Sequence, residues 1–183
     1  MVDRFGRVHQ IVDFLYLSGA NGARRDHIRE RGITCVINCT IELSNLPLTN
    51  VEFINVKVDD SPYASIIRYF DSCADKIEEH RLAGGKVLVH CMAGVSRSAS
   101  IVIAYLVKYQ NLSLKEAYAA VRAARSIIRP NPGFWKQLIE YEYRIRKEES
   151  VRMVPSAFGM IPDVYESEMK PMGWLKVKTT FRL

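Results

Sequence analysis

Apolar positions along the chain fall into short runs whose spacing switches between the period of a strand and that of a helix. Val8 to Leu17 reads as one or two short strands with a polar break at Asp13. Asn21 to Arg31 is polar and arginine-rich, a short helix that Gly32 stops. Ile33 to Asn38 is a compact β-branched run, hence a buried strand, and Val51 to Val58 alternates well enough to be another. From Ala64 to Arg81, the side chains of Ile66, Phe70, Cys73 and Ile77 share one helical face. Gly84-Gly85 ends that segment, Lys86 to His90 forms a strand, and Arg97 to Tyr109 a strongly apolar helix. Ser113 and Glu116 have the spacing of a capping box, so a helix starts there. Pro130 and Pro132 break the chain before a last helix near Phe134 to Lys147.

Strands separated by helices predict an α/β fold: a single domain, residues 1–149, with a central, mostly parallel or mixed sheet flanked by helices. Beyond Ser150, Pro155, Gly159, Pro162, Pro171 and Gly173 argue against a continuous helix. Residues 150–183 are therefore expected to form an extended tail, packed through Phe158, Ile161 and Tyr165, with its last dozen residues disordered.

Composition narrows this picture only a little. The chain has 183 residues, 48% apolar and 25% charged, as an ordinary globular domain has. No run approaches the ~20 apolar residues of a membrane-spanning helix, and the first residues carry neither a secretory signal nor the Met-Gly start of myristoylation. A cytoplasmic location, with the nucleus as a second compartment, is the expectation. The net charge is +6, but the basic residues, Arg24-Arg25, Arg122, Arg125 and Arg144-Arg146-Lys147 among them, are scattered between acidic ones. That reads as a solvated mixed surface, without a stripe for nucleic acid or a membrane. The four cysteines, Cys35, Cys39, Cys73 and Cys91, show no metal-ligand spacing and are expected as thiols, with no metal and no cofactor.

Candidate chemistry concentrates between Val87 and Ser100, which runs strand, loop, helix. A short loop entering a helix N-terminus can curl its backbone N–H groups toward one point, and the helix dipole behind them favours a tetrahedral dianion. Met92, Ala93, Gly94, Val95, Ser96 and Arg97 are the phosphate-binding candidates. Gly94 permits a backbone conformation that a side chain obstructs. Arg97 can fork two N–H donors onto phosphate oxygens, a planar grip that lysine does not reproduce. Cys91 sits where the N–H groups converge, and the field that binds phosphate also stabilises a thiolate aimed for in-line attack. Ser98 can donate to the sulfur when it leaves. His90 is expected to hydrogen-bond to the loop and tune Cys91. The competing reading of Cys91, a buried core thiol after an apolar strand, suits a lone cysteine better than one followed by x5-Arg-Ser.

His90 through Ser98 resembles the His-Cys-x5-Arg-Ser loop of the protein tyrosine phosphatase superfamily, and Ala93-Gly94-Val95-Ser96-Arg97-Ser98 is similar to dual-specificity phosphatases in particular. Ile128 to Phe134 resembles that group's Arg-Pro-Asn-x-Gly-Phe turn, and Ile161 to Glu166 the tail of its small atypical members. The resemblance implies a protein tyrosine phosphatase-like fold and metal-free, two-step hydrolysis of phosphotyrosine and phosphoserine/phosphothreonine through a phosphocysteine. It also implies an aspartate acid upstream. Asp60-Ser61-Pro62 matches the family's Asp-x-Pro form, so Asp60 is the choice and Asp59 the alternative. Asn131 is expected to brace the phosphate loop. Arg129 either faces an acidic or doubly phosphorylated substrate or is simply solvated.

Cys35 and Cys73 read as core thiols. Cys39 ends a strand whose end should lie beside the site, and in some relatives a cysteine there bridges to the nucleophile on oxidation, so Cys39 is either a redox partner of Cys91 or a packed thiol. Phosphorylated proteins are the expected partners, mitogen-activated protein kinases being frequent substrates of the family. Two other readings stay open: a phosphatase for a non-protein phosphoester, disfavoured by a loop without lysine, and a phosphoprotein-binding module with little turnover, disfavoured by the presence of both Cys91 and Arg97.

Overall fold

A computed structural model describes residues 5–157 and 159–166 of the chain. Its central sheet has five strands: β1 (His9–Val12), β2 (Leu15–Ser18), β3 (Cys35–Asn38), β4 (Glu52–Asn55) and β5 (Val87–His90), in the order β1-β2-β5-β3-β4. All neighbouring pairs run parallel except β1 with β2, which is the mixed sheet expected. Strand alternation divides the apolar residues between two faces. Leu15, Leu17, Cys35, Ile37, Val87 and Val89 point into the larger core. That core lies under α2 (Phe70–Leu82), α3 (Arg97–Tyr109), α4 (Leu114–Ala124) and α5 (Pro132–Arg146). Tyr16, Val36 and Leu88 point the other way, against Ile28 of α1 (Arg25–Glu30) and Ile33. Helix α3 is buried on nearly all sides, which explains why its sequence is apolar all round.

Several boundaries differ from the sequence reading for local reasons. The segment before Phe70 is a 3-10 turn, Ile67–Tyr69, and only Phe70 onward is α-helical. The expected Asn21–Arg31 helix splits into a 3-10 turn and α1. Helix α5 begins at Pro132, two residues earlier than expected, because proline at the first position lacks only an N–H that would be unbonded anyway, while Asn131 caps the helix by accepting from Phe134 N–H at 3.0 Å. The capping box of Ser113 and Glu116 is present as read.

After Val151, which is fully buried, β6 (Met153–Ser156) and β7 (Gly159–Pro162) form an antiparallel hairpin. Tyr165 then packs edge-on against Trp135 of α5 and accepts its indole N–H at 2.8 Å. Phe158 and the expected disordered end lie outside the described residues. Among the described residues, no helix is long and apolar enough to cross a membrane.

Candidate active site

The C-terminal ends of parallel strands are where α/β sheets collect ligands, and β5 ends at His90, one residue before Cys91. Strand alternation sends His90 and Cys91 to opposite faces. His90 lines a small cavity with Ala23, Val36, Leu46 and Phe53, while Cys91 joins the larger core face. The His90 ring comes within 3.4 Å of the Cys91 carbonyl through Nδ1, and burial pulls its pKa down to about 4. It is a neutral imidazole at neutral pH, bonded to the loop.

The carbonyls of residues 92–95 are all tied to the body of the protein. Met92 O accepts from Ala20 N–H at 3.0 Å, and Val95 O from Arg129 N–H at 2.8 Å. Ala93 O and Gly94 O both accept from the guanidinium of Arg125, each at 2.8 Å. With these carbonyls bonded to the body of the protein, Gly94 N–H donates to Cys91 Sγ at 3.2 Å. The Ser98 hydroxyl donates to the same sulfur at 3.1 Å from the first turn of α3. Gly94 has φ of 67°, and a Cβ there would lie 2.5 Å from the Ser18 carbonyl, so both its backbone conformation and its contact with β2 require glycine.

Arg125 corrects the sequence reading, which placed it on the solvated surface. It is 0% exposed and also donates to Arg7 O, at 2.9 Å, and Phe5 O, at 3.2 Å, while its Nη1 lies 2.9 Å from His9 Nδ1. Burial, with Arg125 and Arg7 nearby, lowers the His9 pKa. Nothing in the sequence distinguishes Arg125 from the exposed arginines around it.

Arg97 is buried. Its two Nη atoms hold Glu42 at 3.0–3.2 Å, Nη1 also reaches Val58 O at 3.3 Å, and Nε is buried with no partner in the structure. An unpaired buried donor beside the loop is what an arriving anion oxygen would satisfy. The guanidinium holds the Glu42 carboxyl below the usual carboxylate range. Glu42 escaped the sequence reading because it sits in a polar loop far from the motif.

Of the two neighbouring carboxylates, Asp60 reaches the loop. Its Oδ1 accepts from Ser96 Oγ at 2.7 Å and from Asn131 Nδ2 at 2.9 Å. Asp59 instead accepts from the Asp60 backbone N–H at 2.8 Å. Asn131 N–H donates to Ser96 Oγ at 3.1 Å, so Asn131 joins the Asp60 loop, the phosphate loop and α5. The exposed Arg129 lies 4.2 Å over the Tyr165 ring. Cys39 is fully buried on the same face as Cys91, one step beyond the Asn38–His90 pair, with its N–H on His90 O at 2.8 Å, and burial raises its thiol pKa.

Comparison with known proteins bears on this arrangement. Residues 15–144 match the family model "Dual specificity phosphatase, catalytic domain". The chain belongs to the dual specificity phosphatase family. It is 50% identical over 166 residues to dual specificity protein phosphatase 14 of Mus musculus, covering 90% of this chain and 84% of that one. It is 42% identical over 164 residues to dual specificity protein phosphatase 18 of Homo sapiens, covering 89% and 87%. The crystal structure of human DUSP28 superposes with a TM-score of 0.74 at 31% identity, covering 76% of this chain and 95% of that one. A dual specificity phosphatase is a cysteine-dependent protein phosphatase, so this chain is an enzyme and its fold is the protein tyrosine phosphatase-like one expected from the loop.

Proposed function

We propose that the enzyme hydrolyses phosphotyrosine, phosphoserine and phosphothreonine in proteins, with Cys91 as nucleophile and Asp60 as general acid. In the first step the Cys91 thiolate bonds to phosphorus as the ester P–O bond breaks, and the Asp60 carboxyl gives its proton to the leaving oxygen. In the second, the Asp60 carboxylate takes a proton from water, the water oxygen bonds to phosphorus, and the S–P bond breaks with Ser98 donating to the sulfur. Arg97 and the loop N–H groups hold the equatorial oxygens throughout. The observation that carries this reading is convergence. Sulfur, the unpaired Arg97 Nε and the Asp60 carboxylate, tethered through Ser96, surround one loop. An open rim, with Met92 42% exposed, suits both aryl and alkyl esters.

Turnover of p-nitrophenyl phosphate and of phosphotyrosine and phosphothreonine peptides tests it. Cys91→Ser is expected to abolish all three, which also separates an enzyme from a binding module. Asp60→Asn is expected to lose the basic limb of a bell-shaped kcat/KM profile. Full activity of Asp60→Asn toward an ester with a poor leaving group would refute the acid assignment.

Mitogen-activated protein kinases are proposed among the protein substrates, supported by the exposed Arg129 cation beside the loop, which suits a second phosphate. We also propose that peroxide oxidises Cys91 to a sulfenic acid, which condenses with the Cys39 thiol, releasing water and forming a disulfide. The shared face and adjacent register support it. Peptide mapping after mild peroxide treatment is expected to recover the Cys39–Cys91 cross-link. A nucleophilic thiol needs a reducing compartment, which favours the cytoplasm or nucleus.

A further inference from the structure

At the opposite end of the sheet from Cys91, three potential ligands come together from three elements. Cys35 opens β3, Glu52 opens β4, and His80 lies in the last turn of α2. Their ligand atoms all lie within 4.8 Å of one another, and His80 Nε2 is 2.9 Å from Glu52 Oε2. We propose that Cys35, Glu52 and His80 bind a divalent cation of the zinc class. The site lies apart from the catalytic centre and clamps two strands to a helix end.

The donor set is one sulfur, one nitrogen and one oxygen, which zinc accepts in tetrahedral sites with solvent in the fourth position. Glu52 is on the exposed side, where that position opens. A second observation concerns the far side of the imidazole. His80 Nδ1 is 3.1 Å from Thr34 Oγ1, which itself accepts from Lys86 N–H at 3.1 Å and reaches Lys86 O at 3.2 Å. With cation on Nε2, Nδ1–H donates to Thr34 and the threonine proton goes to Lys86 O, so every group is satisfied. An outer hydrogen bond of this kind orients a histidine ligand. The neighbouring cation does not block the site: Lys76 lies 3.3 Å from Glu52 Oε1, leaving Oε2 to the metal, and it is also paired with Glu79 at 2.8 Å. Thiolate, carboxylate and neutral imidazole balance the two charges of the ion. Cys35 binds as the thiolate, its proton passing to solvent. The three residues are too far apart in sequence for any ligand motif to reveal them.

The full chain carrying Cys91→Ser removes the active-site thiolate as a competing ligand. Added Co2+ is expected to give near-ultraviolet thiolate-to-cobalt absorption, displaced by Zn2+, and Zn2+ is expected to raise Tm. His80→Gln on that background should weaken Zn2+ binding about tenfold or more, and Thr34→Val by about ten- to a hundredfold. Far-ultraviolet circular dichroism checks the fold of each variant. If His80→Gln fails to fold, the exposed Glu52→Gln carries the comparison. Absence of the cobalt band, or a band and a Tm shift that survive the ligand substitutions unchanged, overturns the site.

Discussion

Single residues in this site mostly act by orienting other groups. Glu42 occupies both Nη atoms of Arg97 and leaves Nε as the guanidinium's unpaired donor, so it orients the group proposed to hold phosphate. Glu42→Gln is expected to lower kcat/KM for an aryl phosphate roughly tenfold or more, since small errors of placement are expensive in rate, with little change in Tm. Steady-state kinetics and a thermal melt check both halves. His90 provides a pH test. Its ordinary value is 6.5 and burial lowers it to about 4. Between those values the unfolded chain binds a proton that the native protein does not, so stability falls as pH falls through that window. The difference is of the order of 3 kcal/mol, present in full above about pH 6.5. Urea unfolding from pH 7 to 4 should show it, and the slope should flatten in His90→Gln.

Elements matter through where their ends meet. The start of α5 touches the Asp60 loop so closely that a Cβ on Gly133 would lie 1.9 Å from Pro62 O, which rigid backbone on both sides cannot absorb. Gly133→Ala is expected to displace that loop, reducing kcat/KM at least about tenfold by moving the proposed acid relative to the sulfur. The proposed nucleophile itself stays in place, so rapid alkylation of Cys91 by iodoacetate should persist. Helix starts were legible from the chain. The Ser113–Glu116 box is read by spacing alone, because both hydrogen bonds close within one turn. Helix α5 starts two residues before Phe134 because Pro132, placed in the first turn, opens the helix and does not break it.

On the scale of the whole molecule, the described residues after α5 are part of the packed structure. Glu142, fully buried, accepts from Leu114 N–H at 2.7 Å and from Ser150 N–H at 2.8 Å, tying the start of α4 to the point where the hairpin begins. Further along, the Tyr165 hydroxyl accepts the Trp135 indole N–H and donates to Pro130 O at 3.4 Å, next to Asn131. Tyr165→Phe leaves a buried indole N–H unpaired and is expected to cost about 1–3 kcal/mol in chemical denaturation. The same change should leave kcat for p-nitrophenyl phosphate within about twofold, because the loop carbonyls keep their Arg125 and Ala20 partners.

By itself the sequence determined the order of strands and helices and the Cys91–Arg97 loop. Periodicity, capping and the strand–loop–helix motif involve residues close along the chain, where bonded geometry alone fixes what can meet. Tertiary structure alone decided that Arg125 braces the loop, that Glu42 holds Arg97, and that Cys35, Glu52 and His80 share a corner; it also set Asp60, already preferred to Asp59 on the Asp-x-Pro resemblance, against Ser96. Those contacts join positions tens of residues apart, and their energy comes from burying charged and polar groups against partners that only the packed sheet brings within hydrogen-bonding reach.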